Sequence, residues 1–207
     1  LEAMSIGTAG ITAAASVIKI IDSKPSSELP IMVTGATGGV GSVAVMILSK
    51  LGFDVSALTG KPEAKNFLTQ LGANSIILRE DYLNEPSKPM VRPLFAGAVD
   101  TVGGSILSKL LSEIAPHGLV SCCGNVGGIE INTTVFPFIL RGINLCGIDS
   151  AESPIEFKES LWKKFANEWR LDLSASTKEV SKEKLGEEIQ IILQGGQQGR
   201  VVLNHKE

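Results

Sequence analysis

Ile31-Met32-Val33-Thr34-Gly35-Ala36-Thr37-Gly38-Gly39-Val40-Gly41 is the stretch on which the fold turns. Its first four residues form a short β-rich run. After the glycines, Val40, Val43, Ala44, Ile47 and Leu48 recur at the i, i+3, i+4, i+7, i+8 spacing of one helix face. The reading is strand, tight turn, helix. Taken from Ala36 as A-x-G-x-x-G, the string places Gly38 where a backbone must approach a pyrophosphate and Gly41 where the helix must pack on the strand. A helix that opens there offers unpaired N–H groups and the positive end of its dipole to an anion. Thr37, Gly38, Gly39, Val40 and Gly41 are therefore the expected phosphate turn of a dinucleotide site.

Two rival readings of the turn fail on chemistry. From Thr34 the string reads T-G-x-x-x-G-x-G, the pattern of short-chain dehydrogenases, which deliver a proton through a Tyr and a Lys four residues apart. The single tyrosine, Tyr82, has Pro86 at that spacing. The chain also contains no G-x-x-x-x-G-K-[ST] loop, which leaves triphosphate hydrolysis without support.

Working outward, the alternation continues. Residues 53–58 read as a strand, and residues 63–71 as a helix with Pro62 in its first turn and Gly72 as its stop. Further strands are expected at residues 75–78, 98–102, 119–122 and 143–148, with a helix through Ile114 after the fourth. Six short strands mostly separated by helices imply an α/β fold, a doubly wound parallel Rossmann sheet with helices on both faces. Its core spans residues 28–150, preceded by a helix over residues 3–21 whose Gly7 and Gly10 mark the close approach of another backbone or a ligand. Beyond Asp149, Ser153-Pro154-Ile155-Glu156 reads as a capping box, ahead of an apolar stripe of Leu161, Trp162, Phe165 and Trp169. A second stripe, Leu185, Ile189, Ile192 and Leu193, runs to Gly195-Gly196 and a last strand over residues 200–203. If both stripes pack on this sheet the unit is self-sufficient. A stripe left exposed calls for a partner domain or subunit.

At about 150 residues per domain, 207 residues suit one domain with an appendage, spanning residues 1–207. A content of 43% hydrophobic and 20% charged residues excludes wholesale disorder. The net charge of -3 provides no basic field, so neither nucleic acid nor a membrane is the expected partner. Uninterrupted apolar runs such as residues 43–48 and 135–140 fall far below the roughly 18 residues of a membrane span, and no signal peptide is expected. Three cysteines, Cys122, Cys123 and Cys146, lack zinc-site spacing and suit a reducing, cytoplasmic setting, so no metal site is expected. The 22 glycines point to turns that come close to a ligand.

The end of the second strand selects the dinucleotide. NAD enzymes place a carboxylate there, about 20 residues past the glycines, to hold the ribose hydroxyls. Here the residues are Thr59-Gly60-Lys61. No acid repels a 2′-phosphate, Thr59 can donate a hydrogen bond, Lys61 brings charge, and a helix N-terminus follows. A charge-assisted contact of roughly 1.5–3 kcal/mol favours NADP(H) over NAD(H) by about 10- to 150-fold. The alternative is that Lys61 is a solvated turn residue. Asp54 lies at the wrong end of the strand to oppose this. The other strand ends, residues 101–104, Cys123-Gly124-Asn125 and Asp149-Ser150, are expected along the same crevice. Cys123 is read as a small filler and Tyr82 as structural, while His117 and His205 have no recognisable partner.

Several segments taken together resemble the medium-chain dehydrogenase/reductase superfamily, and within it the zinc-free quinone oxidoreductase branch on its acrylyl-CoA reductase side. They are Ala3-Met4-Ser5-Ile6-Gly7-Thr8-Ala9-Gly10, residues 34–41, Thr59-Gly60-Lys61, Asp100-Thr101-Val102-Gly103, Pro137-Phe138-Ile139-Leu140-Arg141-Gly142, Gly147-Ile148-Asp149-Ser150 and Gly199-Arg200-Val201-Val202. The resemblance spans nearly the whole chain. It implies the phosphate turn at residues 37–41 and 2′-phosphate contacts on Thr59 and Lys61, where relatives often have Ser and Arg. Lys in place of Arg keeps the charge and loses the planar fork. It further implies Arg79 on the adenosine side and Asn125, Leu140 and Ser150 near the nicotinamide half. The implied activity is zinc-independent, NADPH-dependent reduction of an enoyl thioester or a quinone by hydride transfer, in a full-length homodimer. On this resemblance the N-terminal GroES-like catalytic domain is expected to be absent, the chain alone inactive, and no catalytic residue is named. The alternative is a stand-alone NADP(H)-binding module without catalysis.

Overall fold

The computed structural model describes residues 1–86 and 88–205. Its strands β1 (Ile31–Thr34), β2 (Val55–Thr59), β3 (Ser75–Leu78), β4 (Gly97–Asp100), β5 (Leu119–Cys122) and β6 (Asn144–Gly147) form one sheet in the order β3-β2-β1-β4-β5-β6. Every pairing is parallel, and Ile31 faces Val55 on one side and Gly97 on the other. The order reverses between β1 and β4, which opens a crevice at the carboxyl ends of these strands, as the Rossmann topology requires. β1, β2 and β4 are buried at every position, which is why they read as continuous apolar runs rather than as alternation.

The helices are α1 (Glu2–Asp22), α2 (Gly39–Lys50), α3 (Lys65–Gln70), α4 (Arg79–Asn84), α5 (Gly104–Leu111), α6 (Phe136–Arg141), α7 (Ile155–Ala166) and α8 (Leu185–Leu193). On one face of the sheet, Val17 and Ile20 of α1, Val43 and Ile47 of α2, and Leu161 and Phe165 of α7 join a single cluster. On the other, Met32 and Leu58 meet Tyr82, Ile106, Leu110 and Ile114. Each fully buried Leu or Ile in these layers contributes about 1.5–3 kcal/mol relative to exposure.

Several boundaries differ from the sequence expectations. β4 ends at Asp100 because that side chain accepts hydrogen bonds from the following Val102 and Gly103 N–H groups, which turns the chain away. The helix expected over residues 63–71 opens as a 3-10 turn (Pro62–Ala64), and the helix after β4 stops at Leu111. The capping box is not formed. The Ser153 hydroxyl donates to the Asp149 carbonyl 2.5 Å away, and α7 starts at Ile155 with Pro154 at its cap. A second sheet of two parallel strands, β7 (Thr177–Val180) and β8 (Arg200–Leu203), gives the last strand a partner the sequence did not announce.

Three residues of the first C-terminal stripe, Leu161, Phe165 and Trp169, are buried in the same cluster as α1, while Trp162 stays exposed, as do Ile189, Ile192 and Leu193 of α8. Helix α1 is long and apolar enough to cross a membrane by length and composition, which the run-by-run reading missed because Gly, Ser and Thr interrupt it. In this fold most of it packs against α2, β4 and β5. Its helical geometry breaks at Gly7 (φ 50°, ψ -159°), where an added Cβ would lie 2.9 Å from Arg200 Nη2. The close neighbour at Gly7 is thus a side chain from β8 rather than the backbone or ligand expected.

Candidate functional site at the switch point

The β1–α2 turn is shaped by backbone contacts that leave no room for side chains. Gly35 has φ +58°, its carbonyl accepts from Gly38 N–H at 2.9 Å, and Gly38 caps α2 in an extended conformation. A Cβ on Gly41 would stand 2.8 Å from Ala36 Cα, so α2 closes on the turn only with glycine there. The first N–H groups of α2 lack intrahelical partners and form an anion-binding end.

A buried hydrogen-bond lock joins β1 to β4 beside this turn. Thr34 Oγ1 donates to Asp100 Oδ1 at 2.7 Å and accepts from Thr101 N–H at 3.0 Å, and Thr101 Oγ1 returns a bond to the Thr34 carbonyl at 2.8 Å. Burial pushes the Asp100 carboxyl above the usual carboxylate range, opposed by the bonds from Thr34, Gly103 and Val102. The sequence motif placed Asp100 correctly but did not reveal it as the keystone between the two strand ends.

At the end of β2, the Thr37 and Thr59 hydroxyls lie 3.5 Å apart, both buried, and Thr59 Oγ1 accepts from Lys61 N–H at 3.1 Å. Arg79, the first residue of α4, lays its guanidinium across Gly60, whose added Cβ would be 2.8 Å from Arg79 Cζ. The Lys61 ammonium donates to the Gln197 carbonyl. Partial burial lowers the Lys61 pKa from its ordinary value, and nearby Glu63 works the other way.

Thr37, Gly38, Thr59, Gly60, Lys61 and Arg79 thus share one cleft of about 580 Å³. Gly39, Val40 and Gly41 form the first turn of α2 beside it. Thr101 and Val102, expected along the same crevice, line this cleft too, whereas Asn125, Leu140 and Ser150 lie elsewhere. Asn125 belongs to a neighbouring opening of about 570 Å³ at the ends of β5 and β6, with Cys122, Cys123 and Asp149. The Ser150 hydroxyl pairs with Thr12 Oγ1 of α1 at 2.7 Å, and Leu140 lies exposed on α6, lining neither opening. Sequence reasoning missed Val126, Gln194 and Gly195 as walls of the first cleft. It also assigned no role to Arg200, whose guanidinium lies against Gly39 at the start of α2 and whose buried Nε has no hydrogen-bond partner. The Gly199-Arg200 motif was the available signal.

Residues 39–167 match the family of zinc-binding dehydrogenases. The chain belongs to that family. The resemblance of its motifs to medium-chain dehydrogenase/reductases is borne out by its relatives. Acrylyl-CoA reductase AcuI of Ruegeria pomeroyi is 40% identical over 205 residues, 98% of this chain and 62% of that protein. The crystal structure of Bacillus subtilis YhfP, solved with NAD bound, superposes with a TM-score of 0.92 at 44% identity, covering 98% of this chain and 63% of that one. YhfP is provisionally named a quinone oxidoreductase. Escherichia coli K-12 YhdH with bound NADPH gives a TM-score of 0.90 at 38% identity, over 97% of this chain and 62% of that one. The chain therefore spans just under two thirds of the length of these relatives.

For a zinc-binding dehydrogenase, the described residues do not fit a zinc ion. Among them no group of three His, Cys, Asp or Glu side chains is placed to hold one.

Proposed function

We propose that residues 1–207 form one NADP(H)-binding unit of a reductase that acts on an activated double bond, an enoyl thioester such as acrylyl-CoA, or on a quinone. The observation that carries this reading is the cleft at the switch point. It joins the glycine turn to Thr59, Lys61 and Arg79, with two cations and no carboxylate at the position where NAD enzymes hold the ribose. Relatives crystallised with NADPH and with NAD, and a relative named acrylyl-CoA reductase, support the same reading.

In this reading the α2 N-terminus and Gly38 receive the pyrophosphate, with Arg200 beside Gly39 adding charge. Thr59 and Lys61 take the 2′-phosphate, and Arg79 flanks the adenosine. Asn125, at the second opening, serves the nicotinamide half, near which the family resemblance also puts Leu140 and Ser150. When bound, the cofactor supplies hydride to the acceptor, and the chain supplies position and field. The full-length protein works as a cytoplasmic homodimer without zinc. The openings at the strand ends hold no acid-base pair of their own, which favours as second reading a binding module that does not catalyse.

Calorimetric titration with NADPH and NADH tests the first reading. NADPH is expected to bind tighter by about 10- to 150-fold, and Lys61→Glu to abolish that preference. Equal affinity for both cofactors would overturn it. Consumption of NADPH with acrylyl-CoA or a quinone by the full-length protein separates the enzyme from the binding module.

A further inference from the structure

The segment over residues 194–199 carries the chain from α8 to β8, and it is tied to both halves of the proposed adenosine site. Gln194 and Gly195 line the cleft, and the Gly199 N–H donates to the Thr37 carbonyl of the phosphate turn at 2.9 Å. Between these points the Gln197 carbonyl accepts from the Lys61 ammonium. The backbone is specialised for this path. Gly195 and Gly199 have φ of +72° and +62°, and a Cβ on Gly199 would lie 2.9 Å from the Ser176 carbonyl carbon. The Gln197 side chain braces the bend by donating from Nε2 to the Gly199 carbonyl at 3.2 Å.

Lys61 thus has a neutral oxygen as its hydrogen-bond partner, at the position where a 2′-phosphate would arrive. A phosphate is the stronger acceptor for an ammonium. The ammonium carries three N–H donors, but its single stem leaves from the end of β2, so swinging Nζ to a phosphate in the cleft lengthens its contact with the strap carbonyl.

We infer that the Gln197 carbonyl and a 2′-phosphate compete for the Lys61 ammonium, so that residues 194–199 are a strap whose latch tunes the preference between phosphorylated and unphosphorylated dinucleotides. The inference rests on the proposed role of Lys61 as the 2′-phosphate contact. NADPH draws Lys61 from the carbonyl and leaves the strap held by the Gly199–Thr37 bond. NADH leaves the latch closed. The latch therefore opposes NADPH binding, and the measured preference is smaller than Lys61 alone would give.

Amide hydrogen exchange on the whole chain, saturated in turn with NADP+ and NAD+, reads the latch directly. Exchange over residues 194–199 is expected to quicken with NADP+ relative to NAD+. Equal exchange, or slower exchange with NADP+, overturns the inference. Gln197→Gly removes the brace and loosens the strap without altering a cleft side chain. It is expected to tighten NADPH binding by about three- to tenfold, as weakening one charge-assisted bond predicts, and to leave NADH unchanged. Unchanged NADPH affinity in a folded variant overturns the inference, and if the variant misfolds, the exchange experiment on the parent chain decides. Lys61→Ala separates the two levels. An unaltered NADPH-to-NADH ratio refutes the role of Lys61 itself, whereas a collapsed ratio with strap exchange blind to the 2′-phosphate refutes only the latch.

Discussion

The carboxyl ends of β1, β2 and β4 and the loops that follow β5 lie along one edge of the same sheet, yet they are built in opposite ways. At the first, Thr34, Thr37, Thr59 and Asp100 are all buried and bonded to one another or to turn N–H groups. At the second, Ile129 is 83% exposed, and Ile139 and Leu140 of α6, which follows, are 68% and 64% exposed. The first region has its polar groups committed before any ligand arrives, which lowers the ordering cost of binding. The second presents apolar surface of the kind that marks an interaction site. The cleft proposed for the adenosine half is preorganised, and the β5 side is open.

The hardest test of that contrast is Gly41→Val, which drives a side chain into the backbone of Ala36. It is expected to destabilise by about 3 kcal/mol, at the upper end of overpacking effects, and to abolish cofactor binding, as chemical denaturation and calorimetry would show. A variant that folds and binds normally would break the claim that the turn is sterically closed. Asp100→Ala strands the Thr34 hydroxyl and the Gly103 N–H in the interior. A loss of about 2–3 kcal/mol is expected in urea melts, with NADPH affinity falling as the β1 and β4 ends separate.

Tyr82→Phe probes the buried layer beneath the same region, where Tyr82 donates to Glu113 at 2.5 Å and Lys109 Nζ sits 4.4 Å from the Tyr82 ring centroid. Burial holds the Glu113 carboxyl above its ordinary range and the Tyr82 bond pulls it back, so the variant raises it further. A raised native pKa means the folded chain binds its proton more tightly than the unfolded chain. Stability therefore falls as pH climbs from the ordinary carboxylate range through the native value. The expected deficit is about 1–2 kcal/mol at neutral pH and shrinks in melts at mildly acidic pH. A deficit that grows on acidification would contradict this. Leu140→Ser should change stability by less than about 0.5 kcal/mol, and a larger effect would mean that the β5–β6 side is packed after all.

The middle of the sheet was legible because β1 and β2 are dense apolar runs that stop at Gly35 and Gly60, and parallel strands buried on both faces have to look that way. The glycine turn was legible for a different reason, since Gly41 has no freedom to be anything else. What stayed hidden depends on contacts between distant parts of the chain. β7 is a polar Thr177-Lys178-Glu179-Val180 segment that becomes a strand only by pairing with β8. Ser153 matched a helix cap by spacing, but the Asp149 carbonyl holds its hydroxyl. Gly195 and Gly196 read as the stop of a helix, and nothing local shows that Gln194 and Gly195 face the end of β2. Leu140 and Ser150, which motif similarity put near the nicotinamide half, lie apart from the cleft that holds the phosphate turn, and spacing within a motif does not say which opening a residue serves.

The bond from Gly199 to Thr37 also orders events in time. A nascent chain emerging from the ribosome can assemble the six strands while residues 194–200 are still in the exit tunnel. During that interval the glycine turn exists without Gly199 on the Thr37 carbonyl and without Arg200 beside Gly39. Synthesis of Gly199 and Arg200 is therefore the step that adds these two contacts, and a ribosome stalled just before them would display the six strands with the glycine turn unbraced.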